Sequence, residues 1–102
     1  MDIQELKKKY KELEQDLQNP GVLDDQEKYV KLSKEFNDLR DIVEKVDKLE
    51  KIQNQIKENE EIIKSAEDDM LTEIALAEND NLQPDIKNMQ EEIQEDLNPK
   101  NP

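Results

Sequence analysis

Residues 25–64 read DQEKYVKLSKEFNDLRDIVEKVDKLEKIQNQIKENEEIIK, a stretch without a Gly or a Pro. Apolar residues recur in it at Tyr29, Leu32, Phe36, Leu39, Val43 and Val46, in steps of three and four. That spacing places them on one face of an α-helix. A strict heptad would continue from Val46 to Glu50, but the apolar residue is Leu49, and the stripe runs on through Ile52, Ile56 and Ile63. The stripe slips by one residue near its middle. We read this as one long helix, about 60 Å by the α-helical rise, that changes its packing partner along its length. Acid-to-Lys pairs four residues apart line its solvent side: Glu27–Lys31, Asp41–Lys45, Glu44–Lys48, Asp47–Lys51 and Glu60–Lys64. Each such pair stabilises a helix only slightly.

Upstream, Ile3, Leu6, Tyr10, Leu13 and Leu17 form a second helical stripe, supported by Glu5–Lys9. Asp2 followed by Glu5 has the spacing of an N-cap and its partner. Asn19-Pro20-Gly21 ends this helix, because Pro cannot continue it and Gly tolerates the turn. The long helix starts at Asp24 or Asp25, with Asp24 and Glu27 spaced as a capping box. Downstream, Ser65 to Asp69 supplies cap residues and a turn. A third helix then carries Met70, Ile74, Ala77, Leu82, Ile86, Met89, Ile93 and Leu97 on one face. Asn79-Asp80-Asn81-Leu82-Gln83-Pro84 interrupts it. An interior Pro costs about 3 kcal/mol, so a kink or short break is expected there. Asn98-Pro99-Lys100-Asn101-Pro102 stops the helix.

One amphipathic helix cannot hide its stripe, but three joined by short turns can. The expected fold is all-α: an elongated antiparallel three-helix bundle, or helical hairpin, with coiled-coil character. Helix one covers only the start of helix two, and helix three folds back over the rest, with the handover at the slip. Leu32, Phe36, Leu39 and Val46 are expected between the helices. Tyr10 and Tyr29 should join them on the apolar stripes, and Met1, Met70 and Met89 should fill core gaps.

Composition agrees and excludes much. The chain has 102 residues, enough for one domain. Leu, Ile, Val and Phe make up about a quarter of it, just above the level of outright disorder. There is no Cys and no His, which removes disulfides, thiolate chemistry and the commonest general base. A single Gly cannot build a phosphate-cradling loop. Asp24-Asp25 and Asp68-Asp69 lack the calcium-loop pattern and are explained as helix caps. Paired carboxylates need a pocket to split their pKa values, which a slim bundle does not offer. We therefore expect no catalytic, cofactor-binding or metal-binding residue, no cofactor, and no enzyme. No apolar run suits a membrane span, and no signal or transit pattern opens the chain, so cytoplasmic location is expected.

Acids outnumber bases 28 to 15, for a net charge of −13. Residues 67–102 hold eleven of the acids and only Lys87 and Lys100 in return. Such a surface repels nucleic acid, whose binders cluster Lys and Arg. The one basic run, Lys7-Lys8-Lys9-Tyr10-Lys11, reads as the solvated side of helix one. Glu91, Glu92, Glu95 and Asp96 crowd the negative pole of helix three, and Glu91–Glu95 and Glu92–Asp96 repel each other. This frustration points to a basic protein surface as partner.

Asp25-Gln26-Glu27-Lys28-Tyr29 and Leu32-Ser33-Lys34-Glu35-Phe36 together resemble a block near the start of bacterial peptide chain release factors. The family's pattern there is Asp-Gln-Glu-Arg-Phe, two variable residues, and Leu-Ser-Arg/Lys-Glu-Tyr. The ending Leu97-Asn98-Pro99-Lys100-Asn101-Pro102 looks like the family's Leu-Leu-Pro-Lys-Asp-Pro, which joins this domain to the next. The resemblance spans the chain and is to the factor type that reads UAA and UAG. It implies an N-terminal helical domain over 1–97, with 98–102 beginning a linker to downstream domains. The family's Gly-Gly-Gln and Pro-x-Thr tripeptides, which carry peptide release and codon reading, have no counterpart here. Pro84 and Asn98 depart from the family's pattern. The implied role is accessory: placing the factor on the ribosome near a protein at the base of the large-subunit stalk, and recycling with a GTPase partner. No direct nucleic-acid or membrane contact is implied for this segment. The alternative is a structural coiled-coil spacer or oligomerisation module.

Overall fold

The computed structural model describes residues 2–98. It is all helix and turn, in the order α1 (Ile3–Asp16), α2 (Pro20–Leu23), α3 (Gln26–Ser65) and α4 (Asp69–Leu97). Each start has a local cause. The Asp2 carboxylate accepts the Glu5 N–H at 2.8 Å and caps α1. The Asn19 side chain accepts the Gly21 N–H at 2.9 Å, and Pro20 follows in the first turn, where a missing N–H costs nothing. The chain therefore makes a one-turn helix where the sequence suggests only a turn, and tucks Val22 inside. Asp25, rather than Asp24, caps α3 by accepting the Lys28 N–H at 3.2 Å. Asp68 caps α4, accepting the Met70 and Leu71 N–H groups at 2.9 and 3.2 Å.

Between α3 and α4, Ala66 closes the long helix at φ 50°, in the left-handed region usually reserved for Gly. The break expected at Asn79–Pro84 is absent: α4 is a single helix with Pro84 inside it. Pro84 and Asp80 are both exposed. The ring meets water, and the carbonyl of Asp80 that loses its N–H partner is on the wet side of the helix.

α1 runs antiparallel to α3 from its middle toward its start, with Lys7 at Glu50 and Tyr10 on Phe36, and α4 runs antiparallel to it over the second half, with Asn79 at Asn59 and Asp96 at Lys45. The resulting body measures 62 × 36 × 16 Å, its long dimension set by α3. Leu6 of α1, Val46 and Leu49 of α3, and Ile93 of α4 form the buried centre. Ile3, Ile42, Met89 and Leu97 pack around it. The two residues on either side of the slip, Val46 and Leu49, are thus both buried, at the place where α1 hands over to α4. A one-residue slip turns the apolar face by about 100° around the helix, so the two partners meet α3 on different sides.

Away from this centre the cover is a single helix thick. Of the expected core residues only Val46 is enclosed; Leu32, Phe36 and Leu39 are half-buried. Phe36 stacks on Tyr10 with ring centroids 4.7 Å apart. Tyr29 is 41% exposed and Met70 71% exposed, against expectation. Two helices in contact shield only the side of each that faces the other, and Tyr29 and Met70 lie outside that strip. Met1 and residues 99–102, including most of the expected linker, lie outside the described residues.

Candidate functional site

Two polar clusters connect α3 to α4, and neither is legible as such in the sequence. The first joins Lys45 to the crowded acids of α4. The Lys45 ammonium lies 2.6 Å from Asp96 Oδ2 and 2.9 Å from Glu92 Oε1. Hydrogen bonds to Asp96 and then to Glu92 raise the Lys45 pKa above its ordinary value, opposed by partial desolvation. Two of the four acids thought to need an outside partner have one within the chain. The Asp41–Lys45 pair along α3 gives way to this bridge between helices. Similarly Lys7, from the basic run, pairs with Glu50 across α1 and α3, while Lys8, Lys9 and Lys11 stay exposed. Among the described residues the ion pairs hold helices to each other rather than running along one helix.

The second cluster is farther out. Asn59 is only 4% exposed, a polar residue in the line of Leu49, Ile56 and Ile63. Its Nδ2 donates to Glu78 Oε1 at 3.0 Å and Asn79 Oδ1 at 2.9 Å, and its Oδ1 accepts from Gln55 Nε2 at 3.3 Å. Among the described residues no buried side-chain polar atom lacks a partner. The signal available in the sequence was the gap in the α3 stripe between Ile56 and Ile63, which Asn59 fills.

The cluster decides which side of α4 faces inward. Beside it Ala75 is buried and Thr72 and Asn79 are half-buried. The stripe expected to pack there instead points out: Met70 is 71% and Ile74 56% exposed, and Ala77 is exposed; Leu71, outside that stripe, is 52% exposed. Farther along α4 the expected residues Leu82, Ile86, Met89 and Ile93 do face α3.

The grooves are open clefts along the helices. One is lined by Lys87, Gln90, Glu91 and Gln94 on the outside of α4. Another is lined by Ile3, Val46, Leu49 and Ile93 at the three-helix centre. Asp25 and Asp68, one from each Asp doublet, are occupied as helix caps. Among the described residues no three His, Cys, Asp or Glu side chains converge as a metal-holding group. No helix there is long and apolar enough to cross a membrane.

A long helix flanked by one partner on each half, with its polar clusters joining helices, defines an elongated all-α domain. The PCRF domain model matches residues 6–102, and the chain belongs to that family. Among its relatives, a peptide chain release factor 1 from Lactobacillus gasseri is 37% identical over 93 residues, covering 91% of this chain and 26% of that protein. One from Ligilactobacillus salivarius is 36% identical over 100 residues, covering 98% of this chain and 28% of that protein. One from Lawsonia intracellularis is 35% identical over 100 residues, with the same coverage. The chain thus spans about a quarter of the length of the curated relatives it matches. No solved structure matches it.

Proposed function

We propose that this chain is the non-catalytic N-terminal domain of a translation termination factor of the type that reads UAA and UAG. It helps seat the factor on the ribosome beside a protein at the large-subunit stalk base, and takes part in recycling by a GTPase partner. It works in the cytoplasm. Residues 1–97 form the domain, and 98–102 lead toward the parts that read the codon and release the peptide. The observation that carries this reading is the PCRF match over residues 6–102, together with relatives named as release factors. The elongated shape, 62 Å in its longest dimension, suits a part that spans distance and places its neighbours.

The test is a transplant. The chain replaces the matching segment of the Ligilactobacillus salivarius factor, and the chimera is compared with the intact factor and with a version lacking the segment. The chimera should recover the ribosome affinity that the deletion loses, with release at UAA and UAG. The chain alone should release no peptide from ribosomes halted at a stop codon. A folded chimera no better than the deletion, or release by the chain alone, would overturn the proposal.

A further inference from the structure

At the α3–α4 tip the usual order of a helical hairpin is inverted. Ala75, Thr72 and Asn79 face α3, while Met70, Leu71 and Ile74 face water. Met70 and Ile74 stand four residues apart and Leu71 and Ile74 three apart, so they form one continuous outward patch. The inversion is held in place. Asn59 donates to both Glu78 and Asn79, and turning Met70 and Ile74 inward would pull those acceptors away and leave a buried amide unpaired. Ile62, at the end of α3, is also partly exposed beside the turn.

The charge around the patch narrows what can cover it. Residues 58–78 contain eight acids against Lys64 alone. A second copy would bring the same excess of acids to the contact, and like charges across an interface disfavour it. Nucleic acid is repelled for the same reason.

We propose that Met70, Leu71 and Ile74 form a docking surface for a protein face that is apolar at its centre and rimmed by Lys and Arg. This deepens the reading above, and rests on it only in placing that face on the large ribosomal subunit. It also moves the contact away from the acids at the end of α4, two of which are held by Lys45. Apolar residues at the centre supply the affinity, and the acidic rim supplies orientation and rate of encounter.

The surface is tested with a synthetic amphipathic helix of Leu and Lys, and a second with Glu in place of Lys. Met70 and Met89 are natural methyl reporters, one on the patch and one packed against the core. The Lys helix should shift the Met70 methyl resonance and leave Met89 unmoved, and the Glu helix should do neither. A Met70→Asp/Ile74→Asp variant, whose substitutions lie on exposed positions, should keep its helicity and bind about tenfold more weakly. A Glu91→Gln/Glu95→Gln variant should retain its affinity. An unmoved Met70, equal binding of the Glu helix, loss of binding only in the Glu91/Glu95 variant, or a dimer formed through this face would each overturn the surface.

The ribosomal part is tested separately, with a photo-crosslinking residue in place of Leu71 and purified large subunits. A crosslink to a Lys- and Arg-rich protein is expected, and a crosslink to ribosomal RNA would count against the proposal. Subunit binding untouched by Met70→Asp/Ile74→Asp would sink the surface and spare the reading of function. No subunit binding by the unaltered chain would sink that reading, while the methyl shifts still decide the surface.

Discussion

The middle of α3 and its far end solve the same problem in opposite ways. In the middle, three helices meet, and Leu6, Val46, Leu49 and Ile93 are enclosed by apolar neighbours. At the far end two helices meet, and a buried Asn with its hydrogen-bond partners takes the place of a large apolar core. Enclosure allows hydrophobic burial to choose the inward face. Where only one helix covers another, too little surface is buried for that choice, and a specific polar contact makes it. Buried polar groups can fix register in this way at some cost in stability.

The largest test of this contrast is truncation. Ile93→Ala or Leu6→Ala should cost about 3 kcal/mol, by the loss of enclosed side-chain contacts. Ile74→Ala at the exposed tip should cost under about 0.5 kcal/mol. Urea denaturation measures both, and equal losses would break the comparison. Asn59→Ala should cost about 1–2 kcal/mol by leaving Glu78 and Asn79 without their partner. It should also speed amide exchange at the tip more than at the centre. Uniform exchange along α4 would show that the two regions open together.

A smaller effect is expected at the connecting turn. Ala66 sits at φ 50°, where a Cβ is strained, so Ala66→Gly should stabilise by about 1 kcal/mol. A loss of stability would mean that the extra freedom of Gly in the unfolded chain outweighs the strain. The smallest effect concerns Lys45. Lys45→Met should cost less than about 1 kcal/mol, since the bridge is partly exposed, and the cost should shrink with salt. Its pKa is raised in the folded chain by Asp96 and Glu92. The Lys45 contribution is therefore fully present below the ordinary lysine range and fades only as pH rises through the raised value. The difference between the parent and Lys45→Met should be flat from neutral pH to about 9. A difference that shrinks across that interval would place the lysine's partner elsewhere.

What the sequence revealed, and what it hid, follows from the range of the forces involved. The caps at Asp2 and Asp68 are local, and they were legible from a few neighbouring residues; the stop expected at Pro20 was not, since α1 ends at Asp16 and Pro20 opens α2. The slip from Val46 to Leu49 was legible because periodicity records which side is covered. The outward turn of Met70 and Ile74 was not, because it depends on Asn59, far away in sequence. Nor was the choice of Lys45 between Asp41, one turn away, and Asp96, on another helix. The break expected at Pro84 is absent for a related reason: the propensity of Pro is local, but its cost depends on surroundings, and here Pro84 and Asp80 both lie on the exposed side of α4. As for the site, the caps were recognisable as structural residues, whereas the patch at the tip became visible only with its exposure.

The antiparallel layout puts Asp2 and Asn98 side by side with the midpoint of α3, not with its tips. Leu97 packs against the central cluster, and Asp96 reaches Lys45. From Lys45, α3 extends about 30 Å in each direction by the helical rise. A segment attached at Asn98 would therefore meet the domain beside the middle of α3, about 30 Å from either tip. A small rotation at that point sweeps Met70 one way and Tyr29 the other.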